Sequence, residues 1–154
     1  MTRPSFDNTF LDMAEVMSRR STCLRRRFCA VIVKDNVPIS FGYNGAPRGE
    51  IDCLERNICN RNLNDVPAGE RYEMCQAVHG ECNSILNAAR MGSASIVGTT
   101  MYIYGYDINK NEEICAVNPC KICAKIIQNS GIKEVIGRNP LTRDIVKWDF
   151  HTTY

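Results

Sequence analysis

Two short motifs, His79-Gly80-Glu81 and Pro119-Cys120-Lys121-Ile122-Cys123, are separated by 37 residues and constrain the fold more than any other feature of the chain. Each is weak alone: a Cys-x-x-Cys at a helix start serves redox pairs and half zinc sites alike, and a histidine beside a glutamate is more often structural than catalytic. Together they offer one imidazole and two thiolates, three protein ligands for tetrahedral zinc with the fourth position open to water, which is a catalytic rather than a closed structural arrangement. That requires two helices to begin at one point in space. Cysteines in the first turn of a helix turn both sulfurs to one spot, and the positive end of the helix dipole favours the thiolate. Pro119 is expected in that first turn. His79 and Glu81, two apart in the opening turn of the other helix, cannot share a face but can both point into a pocket beyond its end. Zinc brings the pKa of a bound water down to about 7, and Glu81 is then placed to take and return protons.

Other patterns supply the scaffold. Phe6, Phe10, Met13 and Met17 recur at helical spacing, so the first segment reads as an amphipathic helix capped by Ser5 or Asp7, with the Phe/Met stripe in the core. "FCAVIVKDNVPISFGYN" reads as a hairpin about Asp35-Asn36, with Pro38 placing its second strand near an edge. A helix runs from His79 to about Met91 and stops at Gly92, with Ile85, Leu86 and Ala89 packing it. "TTMYIYGY" and "IKEVIGR" read as strands, "PCKICAKIIQNSG" as a helix ended by Gly131, and "LTRDIVKWDF" as a short helix and tail. The order predicts one α/β domain over residues 1–154, a mixed central sheet of about five strands covered by helices. Residues 44–76 show no sustained period, and without a cross-link they would form an unusually long loop for a compact domain.

The 154 residues are 44% apolar and carry a net charge of +2. That balance gives no reason to expect a nucleic-acid polymer as partner, and no apolar run approaches a membrane span, so a cytoplasmic protein is expected. In that compartment nine cysteines point to bound metal rather than disulfides. Cys23, Cys53, Cys59 and Cys75 fall in or beside the loop of residues 44–76. An all-thiolate zinc would tie that loop down; free buried thiols are the alternative. Five residues separate Cys53 from Cys59, which makes Cys59 the weakest member of the set. Cys29, Cys82 and Cys115 are left to packing or chance.

H-x-E followed by P-C-x-x-C is the pattern of zinc nucleobase deaminases, with a non-ligand glutamate as acid and base. The wider chain resembles the deoxycytidylate (dCMP) deaminase family through "RRSTCLRRRFCAVIVKDN", "FGYNGAPRG", "DCLERNIC", "AGERYEMCQAVHGECNSILNAAR" and "PCKICAKIIQNSGIKEVI", in that order. The resemblance implies a three-layer α-β-α cytidine deaminase-like fold, with His79, Cys120 and Cys123 on a catalytic Zn2+ and Glu81 shuttling protons. It also implies Asn44 on the sugar, the backbones of Ala30, Gly80 and Pro119 at the base, and a second, structural zinc on the cysteine tetrad. Arg25 would meet the substrate phosphate, and Arg48 would belong to an effector site. Homo-oligomers, hexamers among them, and opposing dCTP and dTTP effectors are implied in the same way. The chain departs from the family pattern at Gly80, where alanine is usual, at Cys29, where glycine is usual, and in about ten polar residues inserted within 105–118, a loop expected to overhang the zinc.

The resulting expectation is hydrolysis of dCMP to dUMP and ammonia, supplying pyrimidine deoxynucleotides for dTTP. A deaminase of another cytosine or purine nucleoside, nucleotide or base on the same fold is one alternative. A non-catalytic, zinc-stabilised nucleotide-binding protein is the other.

Overall fold

The computed structural model describes residues 2–150. Its centre is a mixed sheet in the order β2-β1-β3-β5-β6, with a sixth strand, β4, paired to β3. The strands are β1 Arg26–Lys34, β2 Val37–Tyr43, β3 Thr100–Asp107, β4 Glu112–Ile114, β5 Glu134–Arg138 and β6 Ile145–Lys147. β1 pairs antiparallel with β2 and β3, β3 runs parallel to β5, and β6 is antiparallel to β5. Asp35 and Asn36 close the first hairpin with φ of 50° and 59°, left-handed values that asparagine and aspartate tolerate and that match strand twist. β2 is the edge strand, and the ladder shifts register between Ile32 and Val33 where Val33 meets Pro38, because proline has no N–H to give.

Alternation along β1 divides the core into two layers. Cys29, Val31 and Val33 face helix α1 (Phe6–Ser18), together with Tyr102 and Ile136. Ala30 and Ile32 face the opposite layer, which holds Met101, Ile103, Val135 and the buried residues Cys123, Ala124 and Ile127 of helix α5 (Lys121–Ser130), with helix α4 (Gly80–Met91) beside it. Each of the larger apolar side chains contributes about 1.5–3 kcal/mol through burial, and the sheet is packed between its helices.

Ser5 caps α1 by accepting the Asn8 amide. The buried face of α1 is Phe10, Leu11, Ala14 and Ser18, whereas Phe6 is 53% and Met13 39% exposed. The expected stripe is therefore rotated: Phe6 stacks on Phe10 from outside, 5.8 Å between ring centres, and of the four only Phe10 is fully buried, with Met17 half-buried against the same core. The tail also differs from expectation, since Ile145–Lys147 is a strand and Trp148 is buried, its amide bonded to the Val135 carbonyl. In α4, Leu86 and Ala89 lie on the surface, and Ser84 and Ala88 pack inward. The loop of residues 44–76 contains two single-turn helices, α2 Cys53–Arg56 and α3 Asn60–Leu63, and a 3₁₀ turn at Tyr72–Met74. Among the described residues no helix is long and apolar enough to cross a membrane.

Candidate active site

α4 and α5 place their N-termini together at one end of the sheet. His79 is the N-cap of α4 and Cys120 the N-cap of α5, where its sulfur accepts the Cys123 amide at 3.4 Å. Pro119 therefore precedes the cap instead of occupying the first turn. α4 can lie this close to the sheet because β2 has no side chain at Gly42, where a Cβ would sit 2.2 Å from the Ser84 nitrogen. Gly80 is also tight, its imagined Cβ 3.1 Å from the Gly42 carbonyl oxygen. At the closing ends, Gly92 and Gly131 adopt left-handed backbone and stop α4 and α5 as C-terminal glycines do.

His79 Nδ1 lies 3.5 Å from Cys120 Sγ and 3.4 Å from Cys123 Sγ. Two ligands on tetrahedral zinc, at bond lengths near 2.1 and 2.3 Å, stand roughly 3.6 Å apart, so both His–Cys spacings match those of a zinc site. Among the described residues, these three are the group whose donor atoms all come within 4.8 Å of one another. Cys120 is drawn well below the usual thiol range by the Cys123 thiol, then His79 and the Cys123 amide, and Cys123 is pushed up by Cys120 and Cys82. The cluster thus holds one thiolate readily, while Cys123 must lose its thiol proton and His79 its extra ring proton on binding metal. His79 is raised to about 10, by Cys120 first and then Cys75.

Glu81 is 8% exposed. Burial raises its carboxyl above the ordinary range, against the pull of its own backbone amide, His79 and the Cys123 thiol. Glu81, His79 and Cys120 line a cavity of about 270 Å³, with Arg25, Arg26, Phe28, Asn44, Arg61, Tyr72, Cys115 and Asn118 in its wall. Asn44, 5% exposed, is anchored: its Oδ1 accepts from the Phe28 amide at 2.9 Å and the Ser21 hydroxyl at 2.5 Å, and its Nδ2 donates to the Arg26 carbonyl at 2.9 Å. Arg25 reaches the wall with a buried Nη1 that lacks a hydrogen bond. Ala30, Gly80 and Pro119, expected at the base, do not themselves line this cavity; Gly80 is buried between the lining residues His79 and Glu81, Ala30 is buried, and half-buried Pro119 adjoins the lining residues Asn118 and Cys120. Arg48 stands elsewhere, exposed and bonded to Asn87 at 2.7 Å, beside a groove formed with Met13, Phe41 and Met91.

Cys23, Cys53, Cys59 and Cys75 line the same cavity. Burial raises the Cys53 thiol first, and Cys23, Cys59 and Cys75 add to the effect, so the four are neighbours. Their donor atoms are spaced more widely than those of the His79 trio. Residues 105–118 form a hairpin: β3 continues to Asp107, Asn111 turns with φ of 55°, and β4 returns. Its downstream end brings Cys115, Ala116 and Asn118 to the cavity.

Two features escape a reading of the sequence. Arg61, 7% exposed, donates to the Pro67 carbonyl and stacks 4.8 Å over the Tyr72 ring, which meets His79 edge to face at 5.0 Å. This column ties the long loop to the metal cluster, and no local pattern announces it. Cys82 Sγ lies 3.6 Å from Cys123 Sγ; its position directly after Glu81 is the one signal along the chain.

A three-layer α/β sheet with one imidazole and two thiolates converging at paired helix starts, beside a buried carboxyl, defines a zinc-dependent hydrolase. Residues 4–138 match the cytidine and deoxycytidylate deaminase zinc-binding region, and the chain belongs to that family. It is 36% identical over 134 residues to a deoxycytidylate deaminase of Schizosaccharomyces pombe, a match covering 87% of this chain and 37% of the yeast protein. It is 35% identical over 141 residues to the deoxycytidylate deaminase of Mycobacterium phage D29, covering 88% of this chain and 96% of that one. The crystal structure of dCMP deaminase from cyanophage S-TIM5 in apo form superposes with a TM-score of 0.63 at 25% identity, over 92% of this chain and 88% of that one.

Proposed function

We propose that the protein acts as a single domain that hydrolyses dCMP to dUMP and ammonia, in the supply of pyrimidine deoxynucleotides. The observation that carries this reading is the approach of His79 Nδ1 to Cys120 and Cys123, with buried Glu81 lining the same cavity. Zinc held by His79, Cys120 and Cys123 would supply Lewis-acid activation of a water. Glu81 moves the protons: it takes one from the attacking water and delivers it to the ring nitrogen N3 as C4 is attacked, then takes the second from the new C4 hydroxyl and delivers it to the departing amine. Its burial lifts the affinity of the carboxyl for a proton, which suits a group that must hold a proton and then return it.

Arg25 receives the phosphate, supported by its unpaired Nη1, with Arg26 and Arg61 in the same wall. Asn44 meets the sugar with its second Nδ2 proton, since both acceptor positions of its oxygen and the other proton are already used. Cys23, Cys53, Cys59 and Cys75 take a second, structural zinc. Supporting this, Cys23 Sγ accepts the Arg25 amide at 3.4 Å and Cys75 is held low by His79 and the Ala77 amide, an environment suited to thiolates. Assembly as a homo-oligomer such as a hexamer, regulation by dCTP and dTTP with Arg48 at the effector site, and a cytoplasmic setting complete the reading.

The test is ammonia release from dCMP, deoxycytidine, dCTP and guanine by the zinc-loaded protein. Turnover of dCMP that falls sharply without the phosphate, and falls again in Arg25→Ala, is expected. Equal turnover of deoxycytidine would overturn the substrate assignment.

A further inference from the structure

The Cys82 sulfur stands 3.6 Å from that of Cys123, across the contact between α4 and α5. It is not a fourth ligand, because its donor atom falls outside the group formed by His79, Cys120 and Cys123. It is half-buried, packed against the apolar core that holds Cys123. Either sulfur could donate when both are thiols. A sulfur that ligates zinc must be deprotonated, which leaves Cys123 able only to accept. The sulfur of Cys120 already receives a backbone N–H, from Cys123 at 3.4 Å, and Cys82 offers the other ligating sulfur a comparable donor.

We propose that the Cys82 thiol donates a hydrogen bond to the Cys123 thiolate and so acts as a positioning residue that orients this zinc ligand and tempers its electron donation. The inference rests on Cys123 being a ligand of the zinc under "Proposed function". Partners of this kind around a metal site fix ligand orientation and tune the metal, and losing one typically costs 10- to 100-fold in metal affinity or activity. The placement explains why a polarisable S–H group sits at this point of α4, where an aliphatic side chain would fill the same space with no proton to give. Cys82 also precedes Asn83, whose Nδ2 donates to the Tyr43 carbonyl at 2.8 Å, so the helix turn bearing Cys82 is pinned to β2 and its thiol cannot drift from Cys123.

The experiment compares Cys82→Ala and Cys82→Ser with the parent, as zinc-loaded protein titrated against a chelator and as cobalt-substituted protein examined by absorption. Cys82→Ala should weaken the zinc held by Cys123 about tenfold and move the sulfur-to-cobalt charge-transfer band to lower energy, because a thiolate relieved of its hydrogen bond gives up charge more easily. Cys82→Ser keeps a donor and should return both readings toward the parent. An alanine variant with parental affinity and spectrum, or a serine variant as perturbed as alanine, overturns the proposal. Should Cys82→Ala not fold, the infrared S–H stretch of Cys82, isolated as the difference between parent and Cys82→Ser, decides: a shift to lower frequency than a free thiol supports the bond, and an unshifted band overturns it. Cys123→Ala separates the two levels. If it keeps its full zinc, the ligand assignment and the proposal fall together; if it loses zinc while Cys82→Ala changes nothing, the hydrogen bond alone is refuted.

Discussion

The side-chain oxygen of Asn44 accepts the backbone N–H of Phe28 at 2.9 Å, and its Nδ2 returns a bond to the Arg26 carbonyl at the same distance. The amide thus substitutes for the ladder partner that β1 lacks on its β2 side at its first residues, where it forms the cavity wall. Ser21 adds a third bond from just beyond the end of α1. Asn44 therefore holds Phe28, Arg26 and Ser21 in one arrangement while keeping a single N–H for a ligand.

Asn44→Ala should cost about 1–3 kcal/mol of folding stability, because it strands the Phe28 amide and the Arg26 carbonyl in a buried site. It should also weaken substrate binding. Denaturant unfolding and steady-state kinetics read the two effects separately. A variant with parental stability would show that these bonds are made equally well to water.

Gly42 and Gly80 face each other between β2 and α4, yet alanine should act differently at each. At Gly42 a Cβ would meet backbone at 2.2 Å and 2.5 Å, contacts that can be relieved only by moving α4 away from the sheet and with it His79 and Glu81. Gly42→Ala should lose about 1–3 kcal/mol and most of the activity. At Gly80 the nearest atoms are carbonyl oxygens at 3.1 Å and 3.3 Å, so a small shift of the helix suffices. The helix then gains up to about 1 kcal/mol from exchanging glycine for alanine, which offsets that shift. Gly80→Ala should remain folded and active, and thermal unfolding of the two variants side by side checks the contrast.

The order of helices and strands was legible because each long element carries its own period and its own stop: Asp35-Asn36 for the hairpin, Gly92 and Gly131 for α4 and α5. The motif pair at His79 and Cys120 was legible because metal chemistry demands those residues in that pattern. Other features depend on partners distant in sequence. Phe6 obeys the helical period but has no core to enter, and Ile145–Lys147 is too short to show a period and becomes a strand only by pairing with β5. The cavity wall mixes residues from β1, the long loop and the β3–β4 hairpin, so side chains such as Arg61 and Asn118 had no signal along the chain.

Glu81→Gln should bind zinc normally and lose activity by about 10²- to 10⁴-fold, the usual worth of a positioned acid and base. Zinc content and ammonia release on the same sample test this, and a variant that turns over at the parental rate overturns the role.

The same variant should respond to pH in a defined sense once the metal is removed. Burial raises the Glu81 carboxyl above its unfolded value of about 4.3. Between the two values the folded chain binds a proton that the unfolded chain has released, so this group's contribution to stability declines as pH rises through that window. Metal-free Glu81→Gln should therefore be more stable than the metal-free parent at neutral pH, with the difference fading below about pH 4, where both states of the parent are protonated. Urea unfolding at the two pH values measures it, and a parent that gains on the variant as pH rises contradicts the burial argument.

Metal counting tests the cysteine tetrad, whose four thiols are neighbours around the cavity but more widely spaced than the His79 trio. Zinc would supply the missing attraction: the thiols give up their protons, the sulfurs close on the ion, and the loop between Asn44 and Cys75 is fixed at three places and tied to Cys23. The purified parent should carry two zinc per chain, Cys53→Ser one, and Cys123→Ala one. Cys53→Ser should also become sensitive to limited proteolysis within residues 44–76 while α4 and α5 keep the remaining zinc, because the His79 trio needs nothing from Cys53 to coordinate. A parent holding a single zinc, with Cys53→Ser unchanged in metal and in proteolysis, would reduce the tetrad to ordinary buried thiols and leave the Arg61–Tyr72–His79 column to hold the loop by itself.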